Sequence, residues 1–101
     1  MKKKKGYILP IGSVVTVTNG QHAAMIIGRA QLYQTSETVG YFDYAAVPYP
    51  YGIISESEFA FFNDEDIEEI IFEGYRSKEE IVFAKSYDEN INKVGYPKLK
   101  L

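Results

Sequence analysis

The stretch VGYFDYAAVPYPYGI, residues 39–53, decides the fold because it begins as a β-strand and then loses the ability to continue as one. Successive strand side chains point to opposite faces of a sheet. Alternation predicts two sets, one with Val39, Tyr41, Asp43, Ala45 and Val47 and the other with Gly40, Phe42, Tyr44 and Ala46. Pro48 and Pro50 have no amide N–H, so regular pairing should stop near Val47. We therefore predict a third strand, then an irregular corner lined by tyrosines and a turn at Gly52.

Two strands are predicted ahead of this stretch. The β-branched segment SVVTV, residues 13–17, is typical of a strand, and Asn19-Gly20 is a strong signal for a two-residue hairpin turn. AAMIIGRAQLY, residues 23–33, supplies the returning strand. Gly28 inside it indicates a bulge or a close backbone approach, because glycine contributes no side chain to packing.

The segment after the corner predicts two more strands and a helix. EFAFF, residues 58–62, is apolar enough for a fourth strand, and Asn63 or Asp64 can cap a short helical turn. EIIFEGY, residues 69–75, favours a fifth short strand through its β-branched and aromatic bias. Ser77 to Glu80 form a capping-box pattern, in which each side chain bonds the other residue's amide, and this predicts the start of a helix.

The helix pattern completes an α+β prediction for one domain spanning residues 1–101. Helical periodicity places Ile81, Phe83, Ala84, Tyr87 and Ile91 on a stripe facing the sheet, with Val82 pointing away. The predicted architecture is a twisted, mostly antiparallel sheet of about five strands, either open or curled towards a small half-barrel, with one C-terminal helix packed on it. Its parts are a mobile basic start at residues 1–6, a β-rich body at 7–75, the helix at 77–92 and an extended tail at 95–101. Its core should include Phe42, Phe61, Phe72 and Phe83.

Composition and charge narrow the classes of function. The chain has 101 residues, of which 46% are apolar. It has no cysteine, and this excludes disulfides and thiolate chemistry. No apolar run approaches the roughly 20 residues of a membrane span, so we expect a cytoplasmic protein. Between Ala30 and Tyr75 there are ten acidic residues and neither lysine nor arginine. The simplest interpretation of these acids is solvated surface. The functional alternative is a face that attracts a basic protein surface and is unfavourable for nucleic acid.

No constellation of catalytic or metal-binding residues is evident. His22 is the only histidine, and no cysteine accompanies it. The acidic run at residues 63–69 lacks the glycine and the glutamate spacing of a calcium-binding EF-hand loop, and helix capping explains it better. The glycines do not form a phosphate loop, and no serine or threonine has a partner base. We therefore expect a protein that is not an enzyme and that holds no cofactor or metal.

Several segments, in this order and spacing, resemble one family of small proteins of Gram-positive bacteria, classed as a domain of unknown function. They are ILPIGSVV (8–15), MIIGR (25–29), DYAAVPYPYG (43–52), FFNDEDI (61–67) and FEGY (72–75). Members of that family are commonly encoded beside type VII secretion genes, near LXG-domain toxins and their small helical partners. The resemblance implies a cytoplasmic accessory or chaperone role in toxin export.

A protein-binding function is the leading hypothesis. Tyrosines offer large apolar area at low entropic cost, and prolines fix their backbone, as a reversible interface requires. The candidate contact residues are Tyr44, Pro48, Tyr49, Pro50, Tyr51 and Val82. The partner would be a secreted toxin or its targeting factor. Two alternatives stay open, an immunity or regulatory protein that binds a toxin domain and a small-barrel binder of nucleic acid or ligand. The oligomeric state is also open.

Overall fold

The computed structural model describes residues 7–20 and 22–101, and it has the predicted α+β composition. The predicted basic start at residues 1–6 lies outside the described residues. In chain order the elements are β1 (Val14–Val17), β2 (Ala24–Gln34), β3 (Val39–Pro48), a 3₁₀ helix (Glu56–Glu58), β4 (Ala60–Phe62), a second 3₁₀ helix (Asp64–Asp66), β5 (Ile67–Phe72) and α1 (Lys78–Ile91). The second 3₁₀ helix is the helical turn predicted at the acidic run. Asn63 stands at its N-cap position, where its main-chain amide donates to Asp66 Oδ2 at 2.9 Å.

The five strands form one open, antiparallel sheet in the order β4-β3-β2-β1-β5. The long strands β2 and β3 pair along nearly their whole length. The short strands β4 and β5 lie at the two edges. The predicted antiparallel sheet is therefore confirmed as an open sheet, not as a closed barrel.

The connection between β1 and β2 is longer than the predicted two-residue hairpin turn. Asn19 does adopt a positive φ of 65°, and the Gly20 amide donates to the Val17 carbonyl at 2.8 Å. However, β2 begins only at Ala24, which pairs with Val15. The bond to Val17 centres the turn on Thr18 and Asn19 instead of Asn19 and Gly20, so the chain does not return directly into β2. The end of β1 is paired on its other side with β5, where Val17 lies opposite Ile67.

The side-chain alternation of β3 breaks in the middle of the strand. Ala45 lies opposite Phe61 in β4, so these two side chains share a face. The Phe42 ring packs on the same Phe61, with ring centroids 6.1 Å apart, whereas Tyr44 joins the core beneath α1. The prediction that Phe42 and Tyr44 share a face is therefore wrong. The irregularity extends into β2, where Ala30 has a positive φ of 51°.

The predicted bulge at Gly28 is confirmed by a shift of the β2–β3 register between Ile26 and Gly28. A Cβ at Gly28 would lie 3.0 Å from Oε1 of Gln31, the end of a flexible side chain, and 3.5 Å from the Ala45 methyl group, so no backbone atom blocks it. The glycine therefore marks the irregularity of the strand.

Three of the four phenylalanines predicted in the core are not buried. Phe42 is buried and Phe61 is half-buried, whereas Phe72 is 60% exposed and Phe83 is 40% exposed. Phe72 leaves the core because the β1–β5 register shifts just before it. Phe83 stacks on the Arg29 guanidinium, whose central carbon lies 4.2 Å from the ring centroid.

Helix α1 contacts the sheet through a narrower stripe than predicted. Ala84 and Tyr87 are buried in the core, and Ile91 is half-buried against it. Ile81 is 37% exposed, while Val82 points to solvent as predicted. Within residues 7–20 and 22–101, no helix is both long and apolar enough to cross a membrane.

The start of α1 follows half of the predicted capping box. The Ser77 hydroxyl accepts a hydrogen bond from the Glu80 amide at 3.0 Å, as expected for an N-cap. The Glu80 carboxylate binds Arg29 and Arg76 instead of reaching back to the cap. A tertiary contact thus replaces the local one.

Candidate functional site

The chain turns sharply where β3 ends. Pro48 is half-buried, and its carbonyl accepts a hydrogen bond from the Gly52 amide at 2.8 Å. Gly52 has a φ of 80°, so the predicted turn is confirmed at a residue that tolerates this conformation. The Tyr49 amide donates to the Ala23 carbonyl at 2.8 Å, which ties the turn to the segment before β2. The peptide bond before Pro50 is cis.

This turn presents a run of large apolar side chains to solvent. Tyr49 is 49% exposed, Tyr51 66%, Ile53 69% and Ile54 60%. The exposed ring of His22 lies edge-on to Tyr51, with centroids 6.5 Å apart. We refer to residues 48–54 as the Pro-Tyr corner. Sequence reasoning identified its tyrosines and prolines but missed the two isoleucines. Their position just after the predicted turn, outside any alternating strand pattern, was the signal that could have indicated their exposure.

Tyr44 cannot contribute its side chain to a surface contact. It is fully buried, and its hydroxyl donates to Asp64 Oδ1 at 2.8 Å and accepts from the Leu9 amide at 2.9 Å. Burial, together with the charge of Asp64, raises the pKa of Tyr44 above its ordinary value. The inclusion of Tyr44 among the contact residues was therefore wrong, and its role is to anchor the core. Val82 is 68% exposed, but it lies on α1, a different element from the corner.

The acidic middle of the chain is divided between surface and interior. Glu56 and Glu58 lie exposed in the 3₁₀ helix that follows the corner, and Glu68 and Glu69 lie exposed on β5. Asp43 is only 5% exposed. The corner therefore has an acidic border, while Asp43 belongs to a separate polar cluster described next.

Residues 97–99, which we call the strap, lie parallel to β3 and extend the edge beside β4. The Tyr41 amide donates to the Pro97 carbonyl at 3.0 Å, and the Leu99 amide donates to the Tyr41 carbonyl at 2.9 Å. The Asn63 side-chain amide donates to the Leu99 carbonyl at 2.6 Å. The tail was predicted to be extended, but its docking was not predicted, because the sequence pattern carries no signal for a contact with a strand so far away.

On the helix side of the sheet, Lys98 reaches into an acidic cleft. Its ammonium lies 2.9 Å from Glu65 Oε1 and 3.2 Å from Asp43 Oδ2. Asp43 also accepts from the Tyr87 hydroxyl at 3.0 Å. The cleft has a volume of about 500 Å³, and its polar lining residues include Tyr41, Asp43, Asp64, Glu65, Tyr87, Asp88 and Lys98. Partial burial alone would lower the pKa of Lys98, but the hydrogen bond to Glu65 and the charge of Asp43 raise it.

On the opposite side of the sheet, Leu99 borders an aromatic groove of about 310 Å³. The Tyr33 ring lies 5.0 Å from Phe61 and 5.8 Å from Phe42, centroid to centroid. Gly40 provides the room for Leu99, because a Cβ at Gly40 would lie 2.6 Å from the leucine side chain. The strap thus sends Lys98 into the cleft and Leu99 towards the groove, as alternate residues of a strand do.

An arginine clamp, formed by Arg29, Arg76 and Glu80, joins the sheet to α1. Arg29 pairs with both oxygens of Glu80, at 2.6 and 2.8 Å, and Arg76 reaches the same carboxylate at 2.8 Å. Arg29 also donates to the Leu9 carbonyl and Arg76 to the Ile8 carbonyl. The clamp therefore fixes the start of the described chain against the sheet and the helix. Sequence reasoning missed it, because Arg29 lies far along the chain from Arg76 and Glu80.

Comparison with known proteins assigns a family and no activity. The chain matches a domain of unknown function, DUF4176, over residues 8–83. No curated protein and no solved structure matches it. The matched segment contains all five strands, the Pro-Tyr corner, the arginine clamp and the start of α1, and it ends before Tyr87 and the strap. Since the match covers most of the chain, the protein belongs to the DUF4176 family.

Proposed function

We propose that this protein is a noncatalytic accessory factor that binds a protein partner through the Pro-Tyr corner. The observation that carries the proposal is the exposure of Tyr49, Tyr51, Ile53 and Ile54 within six residues of one turn. Contiguous apolar side chains in such a setting are typical of an interaction site. Hydrogen bonds at both ends of the turn hold its backbone, so little ordering would be needed on binding.

Charge indicates the chemistry of the partner surface. The corner is followed by the exposed carboxylates of Glu56 and Glu58, and no lysine or arginine lies between Arg29 and Arg76. A partner surface with an apolar centre and a basic border would complement this arrangement. The phosphates of a nucleic acid would be repelled by it, so we do not favour a nucleic-acid partner.

The family resemblance suggests the process in which this binding operates. It supports a cytoplasmic accessory or chaperone role in type VII secretion, with an LXG-domain toxin or its small helical partner bound before export. Proteins that accompany a secretion substrate need a reversible interface, and exposed tyrosines suit that need. We regard the protein as holding no cofactor and performing no chemistry of its own.

Calorimetric titration of the purified protein with three separate partners tests this proposal. The partners are the LXG targeting domain, the small helical partner and the isolated toxin domain of a neighbouring gene. We expect one of the first two to bind, and Tyr49→Ala combined with Tyr51→Ala to weaken binding at least about 30-fold, as for hot-spot residues. The matched control is Tyr75→Ala, because Tyr75 is 84% exposed and lies outside the corner.

Each contrary result has a defined meaning. Binding that the double variant leaves unchanged would exclude the corner as the contact site. Binding to the toxin domain alone, with protection of cells that express it, would identify an immunity protein instead of an export factor. Thermal unfolding should differ little between the variants, because exposed substitutions usually change stability by less than about 0.5 kcal/mol.

A further inference from the structure

We propose that the strap covers a peptide-binding edge of β3, and that an extended segment of a partner protein binds there by displacing it. The segment would carry a lysine followed by a branched apolar residue. This site is distinct from the Pro-Tyr corner, and it rests on the proposed function only in that the partner is a protein. Residues 97–99 show how such a segment is held.

The backbone contacts define the edge. Tyr41 both donates to and accepts from the strap, at 3.0 and 2.9 Å. Asn63 is fully buried, and its side chain bonds the Asp43 amide at 3.0 Å and the Leu99 carbonyl at 2.6 Å. Because these contacts involve only the main chain of the strap, a segment of another sequence can reproduce them.

The side-chain contacts define the sequence preference. The acidic cleft on one side of the sheet accepts Lys98, and the aromatic groove on the other side accepts Leu99. Addition of a strand to a sheet edge takes its affinity from main-chain bonds and its specificity from such alternate pockets. The acidic residues of the cleft lining, set against the single basic residue Lys98, are Asp43, Asp64, Glu65 and Asp88. A basic segment is therefore favoured over a neutral or acidic one.

The strap is held weakly enough to be replaced. Its neighbours Tyr96 and Leu101 are 44% and 67% exposed, and within the strap only Leu99 is half-buried. Segments with few buried apolar contacts open at low free-energy cost. The covalent link supplies an effective concentration on the order of millimolar, so the strap covers the edge until a partner with additional contacts competes for it.

The test uses Lys98→Glu, which repels the strap from Asp43 and Glu65 while leaving the edge itself intact. Lys93→Glu makes the same charge change at an exposed residue of the chain segment before the strap. The probe is a synthetic peptide of residues 95–101, GYPKLKL, titrated into each full-length protein and followed by NMR. We expect Lys98→Glu to bind the peptide at least about tenfold more tightly than wild type or Lys93→Glu, with shifts at Tyr41 and Asn63.

A second measurement distinguishes release of the strap from a general disturbance of the structure of Lys98→Glu. The Tyr41 amide should exchange with solvent faster in Lys98→Glu than in wild type, and added peptide should slow it again. A control peptide with glutamate in place of its first lysine should neither bind Lys98→Glu nor slow this exchange. Equal peptide binding by all three proteins, or the absence of binding by Lys98→Glu, would overturn the proposal.

Two further outcomes separate this site from its alternatives. Concentration-dependent dimerisation of the wild-type protein with exchange of straps would assign the edge to a second copy of the chain and overturn the assignment to a partner. Adding Tyr49→Ala and Tyr51→Ala to the Lys98→Glu background should leave peptide binding unchanged. A wrong assignment of the Pro-Tyr corner as a binding site can therefore be distinguished from a wrong assignment of the strap site.

Discussion

The arginine clamp and the strap both depend on ion pairs, but the surroundings of those pairs differ. In the clamp, the side chains of Arg29 and Glu80 are each 11% exposed, and the planar guanidinium of Arg29 contacts both oxygens of the carboxylate. At the strap, Lys98 is 36% exposed and Glu65 is 54% exposed. The second acid, Asp43, is only 7% exposed, but it also accepts hydrogen bonds from the Tyr87 hydroxyl and the Asp64 amide, so it keeps partners when the ammonium leaves. Breaking a pair shielded from water leaves a costly buried charge, whereas water replaces the partner of an exposed one. The clamp should therefore be a fixed part of the fold, and the strap a releasable one.

The largest expected effect comes from removing the central charge of the clamp. Glu80→Gln keeps the shape of the side chain but leaves Arg29 and Arg76 close together without their shared carboxylate. Loss of one partner of a buried ion pair typically costs about 3–5 kcal/mol. We expect the free energy of unfolding, measured with urea, to fall by about 3 kcal/mol, with an unchanged slope m.

The control for this prediction is another glutamate of the same helix. Glu89 forms an exposed pair with Lys93 at 3.6 Å, and Glu89→Gln should cost less than about 0.5 kcal/mol. If both variants lost the same stability, burial would not be what distinguishes the clamp, and the comparison with the strap would fail.

A pair of glycines sharpens the comparison without changing any charge. Gly74 lies next to the clamp, and a Cβ there would collide with the Ile11 carbonyl oxygen. The Gly74 amide also donates to the hydroxyl of Ser13, which is fully buried, so the backbone has little freedom to move. We expect Gly74→Ala to cost about 1–3 kcal/mol of global stability, as overpacking does, measured by thermal or urea unfolding.

Gly40 is the corresponding glycine at the strap. A Cβ there would lie 2.6 Å from both the Pro97 carbonyl and the Leu99 side chain. Because the strap can move away, Gly40→Ala should change global stability by less than about 1 kcal/mol while accelerating exchange of the Tyr41 amide about tenfold. A global loss as large as that of Gly74→Ala would show that the strap is integral to the fold.

Local pattern was sufficient to predict the elements of this fold. Strands β1 to β3 were predicted from β-branched runs and from the break at Pro48, and helix α1 was predicted from the cap at Ser77. Each of these signals lies within or next to the element that it predicts. Strand pairing partners were beyond such reasoning. For this reason Phe72 was assigned to the core, although a register shift in its pairing with β1 turns it outward.

The residues of the candidate sites also divide into those that local pattern predicts and those that only folding brings together. Tyr49 and Tyr51 were predicted to be exposed because prolines interrupt the strand beside them, and the structure places them at the surface. Tyr44 was misplaced because the alternation of β3 breaks in the middle of the strand, and because alternation does not indicate how deeply a side chain is buried. The docking of Lys98 depends on Asp43 and Glu65, which are distant in sequence, so only the folded chain brings these groups together.

The smallest and most local expected effect is release of the strap by acid. Partial burial opposes ionisation of Glu65, but the hydrogen bond from Lys98 and its charge outweigh this and lower the pKa of Glu65. A carboxyl whose pKa is lower in the docked state stabilises docking above its free pKa of about 4.3, and that contribution is lost as the pH falls. Lys98, whose pKa is raised, stabilises docking below about pH 10.4 and loses this effect at higher pH.

Docking should therefore hold from about pH 5 to pH 10 and weaken on both sides. The other charged groups near Lys98 are Asp43 from β3, Asp64 from the second 3₁₀ helix, Asp88 from α1 and Lys100 from the tail. NMR shifts of the Leu99 amide, followed from pH 7 to pH 3, should move towards those of Lys98→Glu, in which the strap is already released. Lys98→Gln removes the cation and should abolish most of the acid transition. If the Leu99 shift were constant down to pH 3, the main-chain bonds alone would hold the strap. Docking of the strap would then not depend on ion pairs, as the clamp does.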